Sequence, residues 1–210
     1  MQSTFARHLL AAEAVRLQPE QPFTWASGWH SPIYCDNRRL LAFPEIRTFV
    51  KDALCQLVRA HYAQADVVAG VATGAIAMGA LVADALGLPF VYVRPKPKDH
   101  GMGNQIEGRL PEGARVVVVE DLISTGGSSL KAVDALRRAG AEVVGMVASF
   151  TYGFPVAEAA FREAGVTLHT ISDYAHVLQE AVAQGYITAQ QQTTLAQWRE
   201  NPAEWGNDKQ

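Results

Sequence analysis

The residues best suited to chemistry in this sequence lie between Val116 and Ser129, which read V-V-V-V-E-D-L-I-S-T-G-G-S-S. A valine-rich strand ends in two acids, Glu120 and Asp121, and a turn of small residues then opens a helix. The first turn of a helix has unpaired N–H groups and the positive end of the helix dipole, so it binds phosphate well. Carboxylates suit ribose hydroxyls, or a magnesium ion held through water. The segment therefore predicts a ribose phosphate site.

The turn itself favours close contact with an anion. Gly126 and Gly127 let the backbone approach a ligand because they have no side chains. An ordinary strand–helix turn with a serine or threonine cap is the alternative interpretation. No G-x-x-x-x-G-K-[ST] is present and no G-x-G-x-x-G follows a strand, so the chain is neither a Walker nucleotide hydrolase nor a Rossmann dehydrogenase. Four hydroxyl groups can add donors, those of Ser124, Thr125, Ser128 and Ser129.

The second candidate feature is a basic loop at residues 95–113, which follows Arg94 and contains Lys96, Lys98 and His100. We predict no secondary structure in it, and such long loops in compact domains are usually functional or disordered. A basic loop that closes over an anion suits a pyrophosphate leaving group, because cations stabilise the charge that builds as the glycosidic bond breaks. A solvated charged loop is the alternative interpretation.

The elements that must position these residues alternate between short valine-rich runs and segments of helical periodicity. Such runs, separated by helices, indicate a parallel sheet covered on both faces. We therefore predict an α/β fold with an open, mostly parallel sheet, helices on both faces and a small N-terminal hood. Ligands of such sheets bind at the carboxyl ends of the strands. Strands are predicted at 67–71, 90–93, 115–120, 142–150 and 166–171, with helices at 1–15, from 44, at 76–86, 128–139 and 156–164, and in two closing segments.

Composition restricts the class of protein. The 210 residues include 18 basic and 21 acidic side chains, and the resulting charge of −3 disfavours a protein that coats nucleic acid. Cys35 and Cys55 are too few for a disulfide scaffold or a zinc site, and we expect buried free thiols in reducing surroundings. No signal peptide and no apolar run of ~18 residues is visible. We expect a cytoplasmic protein with no membrane or nucleic-acid partner.

The segment that begins at Val116 closely resembles the phosphoribosyl-pyrophosphate (PRPP) signature of type I phosphoribosyltransferases. The basic loop, with its G-N-Q-I-E-G ending, resembles the catalytic loop of one bacterial branch of the orotate phosphoribosyltransferases. The resemblance implies that Lys98 and Asp121 are catalytic, that Ser124 contacts orotate and that Mg²⁺ is bound through PRPP. It also implies a PRPP site formed by Arg94, Lys98, His100, Glu120, Asp121, Leu122, Ile123, Ser124, Thr125, Gly126, Gly127 and Ser128.

The aromatic segment F-T-W-A-S-G-W-H-S-P-I-Y-C-D-N-R, residues 23–38, resembles the element that covers the base in this family. The implied division is a hood at 1–40, a core with the catalytic loop at 41–200 and a tail at 201–210. The family's loop reaches into the neighbouring subunit's site, which implies a homodimer. Three family features are absent here: lysines near Ala26 and in the turn 72–75, and an arginine for the orotate carboxylate in 149–154.

The implied reaction joins orotate to PRPP, giving orotidine 5′-monophosphate and pyrophosphate in UMP biosynthesis. Two alternatives stay open. A purine-base phosphoribosyltransferase shares the PRPP turn, although the G-N-Q-I-E-G ending argues against it. A PRPP-sensing regulator binds without catalysis, but it typically adds a nucleic-acid-binding module. This chain has no spare length or basic patch for such a module, and it keeps Lys98 and His100.

Overall fold

A computed structural model of the chain describes residues 1–24, 30–96, 105–203 and 205. The chain forms two compact units. One contains Met1–Ile46 and Ser172–Gln210, and we call it the terminal unit. The other, the sheet unit, contains Arg47–Ile171 and includes the predicted phosphate turn.

The strands are short and most of them lie in the sheet unit. In the described ranges they are β1 (Val15–Leu17), β2 (Phe23–Thr24), β3 (His30–Ser31), β4 (Ile33–Cys35), β5 (Val67–Val71), β6 (Phe90–Val93), β7 (Ile106–Glu107), β8 (Arg115–Ile123), β9 (Glu142–Thr151) and β10 (Leu168–Asp173).

In the sheet unit, helices alternate with strands, as the periodicity predicts. The helices of the chain are α1 (Gln2–Ala11), α2 (Pro44–His61), α3 (Ile76–Leu86), α4 (Gly127–Arg138), α5 (Pro155–Glu163), α6 (Tyr174–Ala183) and α7 (Ala189–Glu200), with a 3-10 helix at Asn37–Ala42. Of these, α1, α6 and α7 lie in the terminal unit. The bounds of β5, β6 and α3 agree with the prediction, and α4 begins one residue earlier than predicted.

The main sheet has six strands in the order β10-β9-β8-β5-β6-β7. Strand β5 pairs in parallel with β6 and with β8, and β8 pairs in parallel with β9. Strand β7 is antiparallel to β6 at one edge. The predicted α/β fold with a mostly parallel sheet is confirmed. Because parallel strands end on the same side, the turns after β5, β6 and β8 are neighbours.

Both faces of this sheet are covered by helices. Alternate side chains of β5, β6 and β8 form one buried cluster with α4 and α5. Successive strand residues point to opposite faces. Gly70 of β5 therefore faces the other way, where a Cβ atom added to Gly79 of α3 would lie 3.3 Å from its Cα. The predicted arrangement of helices is confirmed.

Two sequence predictions near the site are wrong in detail. Strand β8 does not end at Glu120, because Leu122 and Ile123 still pair with β9. The two acids therefore lie within the strand. The loop 95–113 is not free of secondary structure, since Ile106 and Glu107 pair with the end of β6. Outside the site, helix α1 ends at Ala11 and Val15–Leu17 form β1, and the described part of the segment 22–39 contains three short strands.

The terminal unit is built around buried aromatic side chains. Trp198 of α7 is fully buried, and its Nε1–H donates to the carbonyl of His30 at 3.1 Å. The Tyr174 hydroxyl donates to the carbonyl of Leu195 at 2.9 Å. These contacts explain why α6 and α7 group with the N-terminal segment, whereas the sequence-based division placed them with the core. The role of the N-terminal segment as a hood over the base stays a prediction.

Both cysteines are free thiols. Cys55 is buried in α2, as predicted, whereas Cys35 is only half-buried because it lies in the short strand β4. Within the described ranges, no helix combines the length and the apolar composition that crossing a bilayer requires. In those same ranges, no three His, Cys, Asp or Glu side chains converge as a metal site would need.

Gly145 offers a test of the packing between α2 and β9. It follows a register shift between β8 and β9, and a methyl group there would overlap with the buried ring of Tyr62. That ring is held by its hydroxyl, which donates to the carbonyl of Thr167 at 2.7 Å. Gly145→Ala should therefore lower the free energy of unfolding in urea by about 1–3 kcal/mol.

Gly127→Ala is the matched control, since a Cβ atom at Gly127 has no neighbour within 4 Å. Its stability should stay within about 0.5 kcal/mol of wild type. Equal effects of the two substitutions would show that the Tyr62 ring does not restrict position 145.

Candidate active site

The turn after β5 and the carboxyl end of β8 touch through Gly74 and Asp121. A methyl group on Gly74 would overlap with the Asp121 carboxylate, so the acid packs directly against the backbone of this turn. The N-cap residue of α3, Ala75, provides no side-chain cap for the first amides of that helix. The turn 72–75 thus presents backbone groups beside an acid.

Glu120 is the more deeply placed of the two acids and is only 5% exposed. Its Oε2 accepts a hydrogen bond from the Ser129 hydroxyl at 2.8 Å, and its Oε1 accepts from the backbone N–H of Asp121 at 2.9 Å. Strand β8 and the first turn of α4 are therefore joined through this carboxyl group.

The protonation of Glu120 follows from this position. Burial, and then the negative charge of neighbouring Asp121, raises the pKa of Glu120 well above its ordinary value of 4.5. The Ser129 hydroxyl acts in the opposite direction, because its hydrogen bond stabilises the carboxylate. A ligand that donates hydrogen bonds, or a cation, would favour the charged form.

The N-terminus of α4 is free of side-chain caps. Its N-cap is Gly126, which has no side chain, and no side chain in the described part of the chain caps its first amides. By contrast, α6 is capped by Asp173 and α7 by Thr188. Unpaired amides at a helix N-terminus bind phosphate and carboxylate groups. The α4 terminus is therefore the candidate anion-binding part of the site.

Two features of the structure require glycine at position 126. Its φ is 83°, and a Cβ atom there would lie 2.8 Å from the ring of Phe161 in α5. A left-handed backbone and a close aromatic neighbour together exclude a side chain. The shape of the phosphate turn thus depends on α5 as well as on the turn's own sequence.

The stem of the basic loop is closed by hydrogen bonds. The backbone N–H of Arg94 donates to the carbonyl of Gln105 at 2.8 Å, and the Gln105 Nε2 group donates to the carbonyl of Arg94 at 2.9 Å. The Arg94 guanidinium lies 3.6 Å from the Glu107 carboxylate. Lys98 and His100, which the sequence predicts to be functional, lie outside the described residues.

The structure brings most of the predicted residues to one edge of the sheet, and it refines several of them. The Ile123 side chain is fully buried in the core, so only its backbone can face a ligand. Ser124 and Leu122 are half-buried, whereas Thr125, Gly127 and Ser128 are exposed. Ser129 is not an available donor, because its hydroxyl is buried against Glu120. The sequence pattern did not predict the hydrogen bond between Ser129 and Glu120, because residues nine positions apart give no local signal.

The segment 151–154, at the end of β9, is largely apolar and buried, unlike a polar loop that binds a base. Tyr152 and Phe154 are buried, and their rings stack with centroids 5.3 Å apart. Thr151 is half-buried, and its hydroxyl oxygen accepts from the N–H of Gly153 at 3.0 Å. No basic side chain lies in this segment. Recognition of a carboxylate here would depend on backbone and hydroxyl groups.

Comparison with known proteins identifies relatives of the whole chain. The profile of the phosphoribosyl transferase domain family matches residues 37–176. An orotate phosphoribosyltransferase of Bacteroides fragilis is 59% identical over 209 residues, covering 100% of this chain and 99% of the relative. One from Cytophaga hutchinsonii is 58% identical over 200 residues, covering 95% and 96%.

A solved structure shares the fold as well. The crystal structure of orotate phosphoribosyltransferase from Aeropyrum pernix superposes with a TM-score of 0.76 at 33% sequence identity. The match covers 87% of this chain and 99% of that structure. Sequence and structure therefore agree on the same relatives.

Glu120→Gln should stabilise the unliganded protein, and the gain should grow as pH rises above 4.5, the ordinary pKa of a glutamate side chain. Because the folded-state pKa of Glu120 is raised, the stability that its carboxyl contributes at low pH is lost as pH rises through that pKa. Glutamine avoids this loss, because its side-chain oxygen can accept from the Asp121 N–H while its Nε2 group donates to the Ser129 hydroxyl oxygen. Each kcal/mol gained should raise Tm by about 2–4 °C in a scanning calorimetry experiment.

Asp134→Asn, on the exposed face of α4, serves as the control and should show no such pH-dependent gain. A Tm for Glu120→Gln at or below that of wild type near pH 8 would contradict a destabilising buried carboxyl.

Proposed function

Because the chain belongs to the orotate phosphoribosyltransferase family, we propose that it transfers ribose 5-phosphate from PRPP to orotate. The products are orotidine 5′-monophosphate and pyrophosphate, and the reaction is a step in pyrimidine biosynthesis. The enzyme class is that of the glycosyltransferases that move pentose groups.

One observation carries this proposal: the acid pair of β8 is held directly beside an uncapped helix N-terminus. PRPP has a phosphate and two ribose hydroxyl groups at matching positions along its sugar. In the proposed complex, the amides of α4 bind the 5′-phosphate, while Glu120 and Asp121 accept hydrogen bonds from the ribose.

Catalysis would come from positioning and from charge. Orotate is already an anionic nucleophile, so the protein has little general-base work to do. As the glycosidic bond breaks, positive charge develops on the ribose, and the carboxylates of Glu120 and Asp121 stabilise it. Arg94, Lys98 and His100 would stabilise the pyrophosphate that departs. The Lys98 and His100 roles rest on the family resemblance.

Magnesium fits the same arrangement. Mg²⁺ in enzymes is usually held by one or two carboxylates together with substrate phosphates. Glu120 and Asp121 supply adjacent carboxylates at the carboxyl end of β8. When bound with PRPP, the ion would neutralise the charge of the diphosphate group.

The proposed assembly is a homodimer in the cytoplasm. The family resemblance implies that the basic loop of one subunit serves the site of its partner. Two free thiols agree with a reducing compartment. Of the alternatives, neither the purine-base enzyme nor the PRPP-sensing regulator is favoured by a specific observation, whereas relatives near 59% identity are orotate phosphoribosyltransferases.

A panel of bases tests the substrate assignment. With PRPP and Mg²⁺, orotate should give pyrophosphate release, and adenine, hypoxanthine and xanthine should give none, because the site discriminates through groups on the base. Pyrophosphate release is measured for each base separately. Release with a purine and not with orotate would contradict the assignment but leave the reaction class intact.

Complementation between two inactive variants tests the shared site. Lys98→Ala should lower kcat by on the order of 10²-fold, since its charge matters most as pyrophosphate leaves. Asp121→Asn should weaken PRPP use. If the loop serves the partner, one site of a mixed dimer is intact and the other has both defects. Random mixing makes about half the dimers mixed, so about a quarter of all sites should be wild type.

Activity should therefore return after the two variants are unfolded and refolded together. Each variant refolded alone is the control and should stay inactive. Verified mixed dimers that remain as inactive as their parents would show that the loop acts within its own subunit.

A further inference from the structure

A pocket of about 380 Å³ opens beside the phosphate turn, next to the ends of β5 and β6 and the first turn of α4. Among the described residues that line it, three are cationic, Arg94, Lys96 and Lys131, and none is acidic. Gln105 and Ser128 contribute polar groups. Such a wall suits a ligand with several negative charges.

Lys131 belongs to a different element from the other two cations, because it lies in helix α4. It is the fifth residue of α4, so it lies one turn beyond Gly127 and on the same helix face. Helical side chains lean back toward the N-terminus, so Lys131 covers the turn that precedes it. That turn begins with the uncapped amides of Gly127 and Ser128.

The charge of Lys131 is also uncompensated among the described residues. Its ammonium group has no acidic partner within ion-pair distance there, whereas Arg94 lies 3.6 Å from Glu107. An exposed lysine on a helix keeps its side chain in water until an anion arrives, so the cost of desolvation stays small.

We propose that Lys131 is a further substrate-binding residue, which contacts the 5′-phosphate common to PRPP and the nucleotide product. This inference rests on the proposed function. The α4 amides are neutral donors, and an ammonium group adds the full positive charge that a phosphate dianion favours. Because Lys131 and the phosphate turn belong to one helix, the cation stays in register with the amides.

The diphosphate of PRPP is the other anion that could enter this pocket. Arg94 and Lys96 come from the stem of the basic loop, and they are the cations that would serve the leaving group. Lys131 does not belong to that loop. The two ends of PRPP therefore have separate cations, one fixed to α4 and the others to the loop stem.

The test compares PRPP and orotidine 5′-monophosphate, which carry the 5′-phosphate, with pyrophosphate, which does not. Lys131→Gln should raise the KM for PRPP and the Kd of orotidine 5′-monophosphate by the same factor, about fivefold to tenfold, while kcat changes less than about twofold. The Kd of pyrophosphate, measured by the same calorimetric titration, should not change. Lys131→Arg keeps the charge and should restore most of the lost affinity.

Lys51→Gln is the matched control. Lys51 pairs with Asp52 at 3.0 Å on α2, outside the site, and its loss should leave all three constants unchanged. Unaltered KM and Kd values in Lys131→Gln would overturn the inference. Weaker pyrophosphate binding with normal nucleotide binding would also overturn it, by assigning Lys131 to the leaving group.

The failure of this inference differs from the failure of the proposed function. A wild-type protein that releases no pyrophosphate from orotate and PRPP would contradict the function itself. An active wild type whose Lys131→Gln variant behaves normally would contradict only the role of Lys131. Lys131 is exposed, so equal Tm values should confirm that the variant is folded.

Discussion

The burial of the Glu120 carboxyl group beside a second carboxylate is the constraint on which the site depends. A buried acid next to a like charge is costly unless hydrogen bonds or a cation compensate it. The protein supplies two such bonds, from the Ser129 hydroxyl and the Asp121 amide, and both come from groups within the strand–turn–helix segment. The position is thus tolerated without substrate and becomes favourable with a ligand that donates hydrogen bonds. The proposed role of Glu120 would therefore oppose function to stability at this residue, as is common in active sites.

The same edge of the sheet uses backbone groups where side chains would be expected. The N-termini of α3 and α4 have no side-chain caps, whereas α6 and α7 are capped by Asp173 and Thr188. A cap would occupy the amides that an anion needs. Glycine makes this arrangement possible at two points, because Gly74 lets Asp121 pack on the turn and Gly126 accommodates both a positive φ and the Phe161 ring. The turns are therefore shaped by contacts from β8 and α5, which lie far away along the chain.

The fold was largely predictable because its signals are local. Valine-rich runs marked β5, β6 and β8, and helical periodicity marked α3 and α4 within a residue of their bounds. The acid pair and the glycine turn were found because they lie within a few residues of each other.

The features that the sequence could not predict depend on partners that are distant along the chain. The extension of β8 to Ile123 requires pairing with β9, and β7 exists only because Ile106 and Glu107 meet the end of β6. The bond between Ser129 and Glu120 depends on how α4 packs on the strand. Lys98 and His100 lie outside the described residues, so their predicted roles stay predictions.

The closed stem of the basic loop fixes both ends of the loop at one point, which we call the anchor. Paired hydrogen bonds hold Arg94 against Gln105, so the segment between them starts and ends at one place on the sheet edge. Four peptide units separate Arg94 from Lys98, and covalent geometry limits their Cα–Cα separation to about 14 Å. The Cα atom of Lys98 must therefore lie within a sphere of that radius around the anchor, whichever subunit the loop serves. For a partner's site to lie inside that sphere, the subunits must meet near the carboxyl end of β6. The reach of one short segment thus restricts where a functional dimer interface can be.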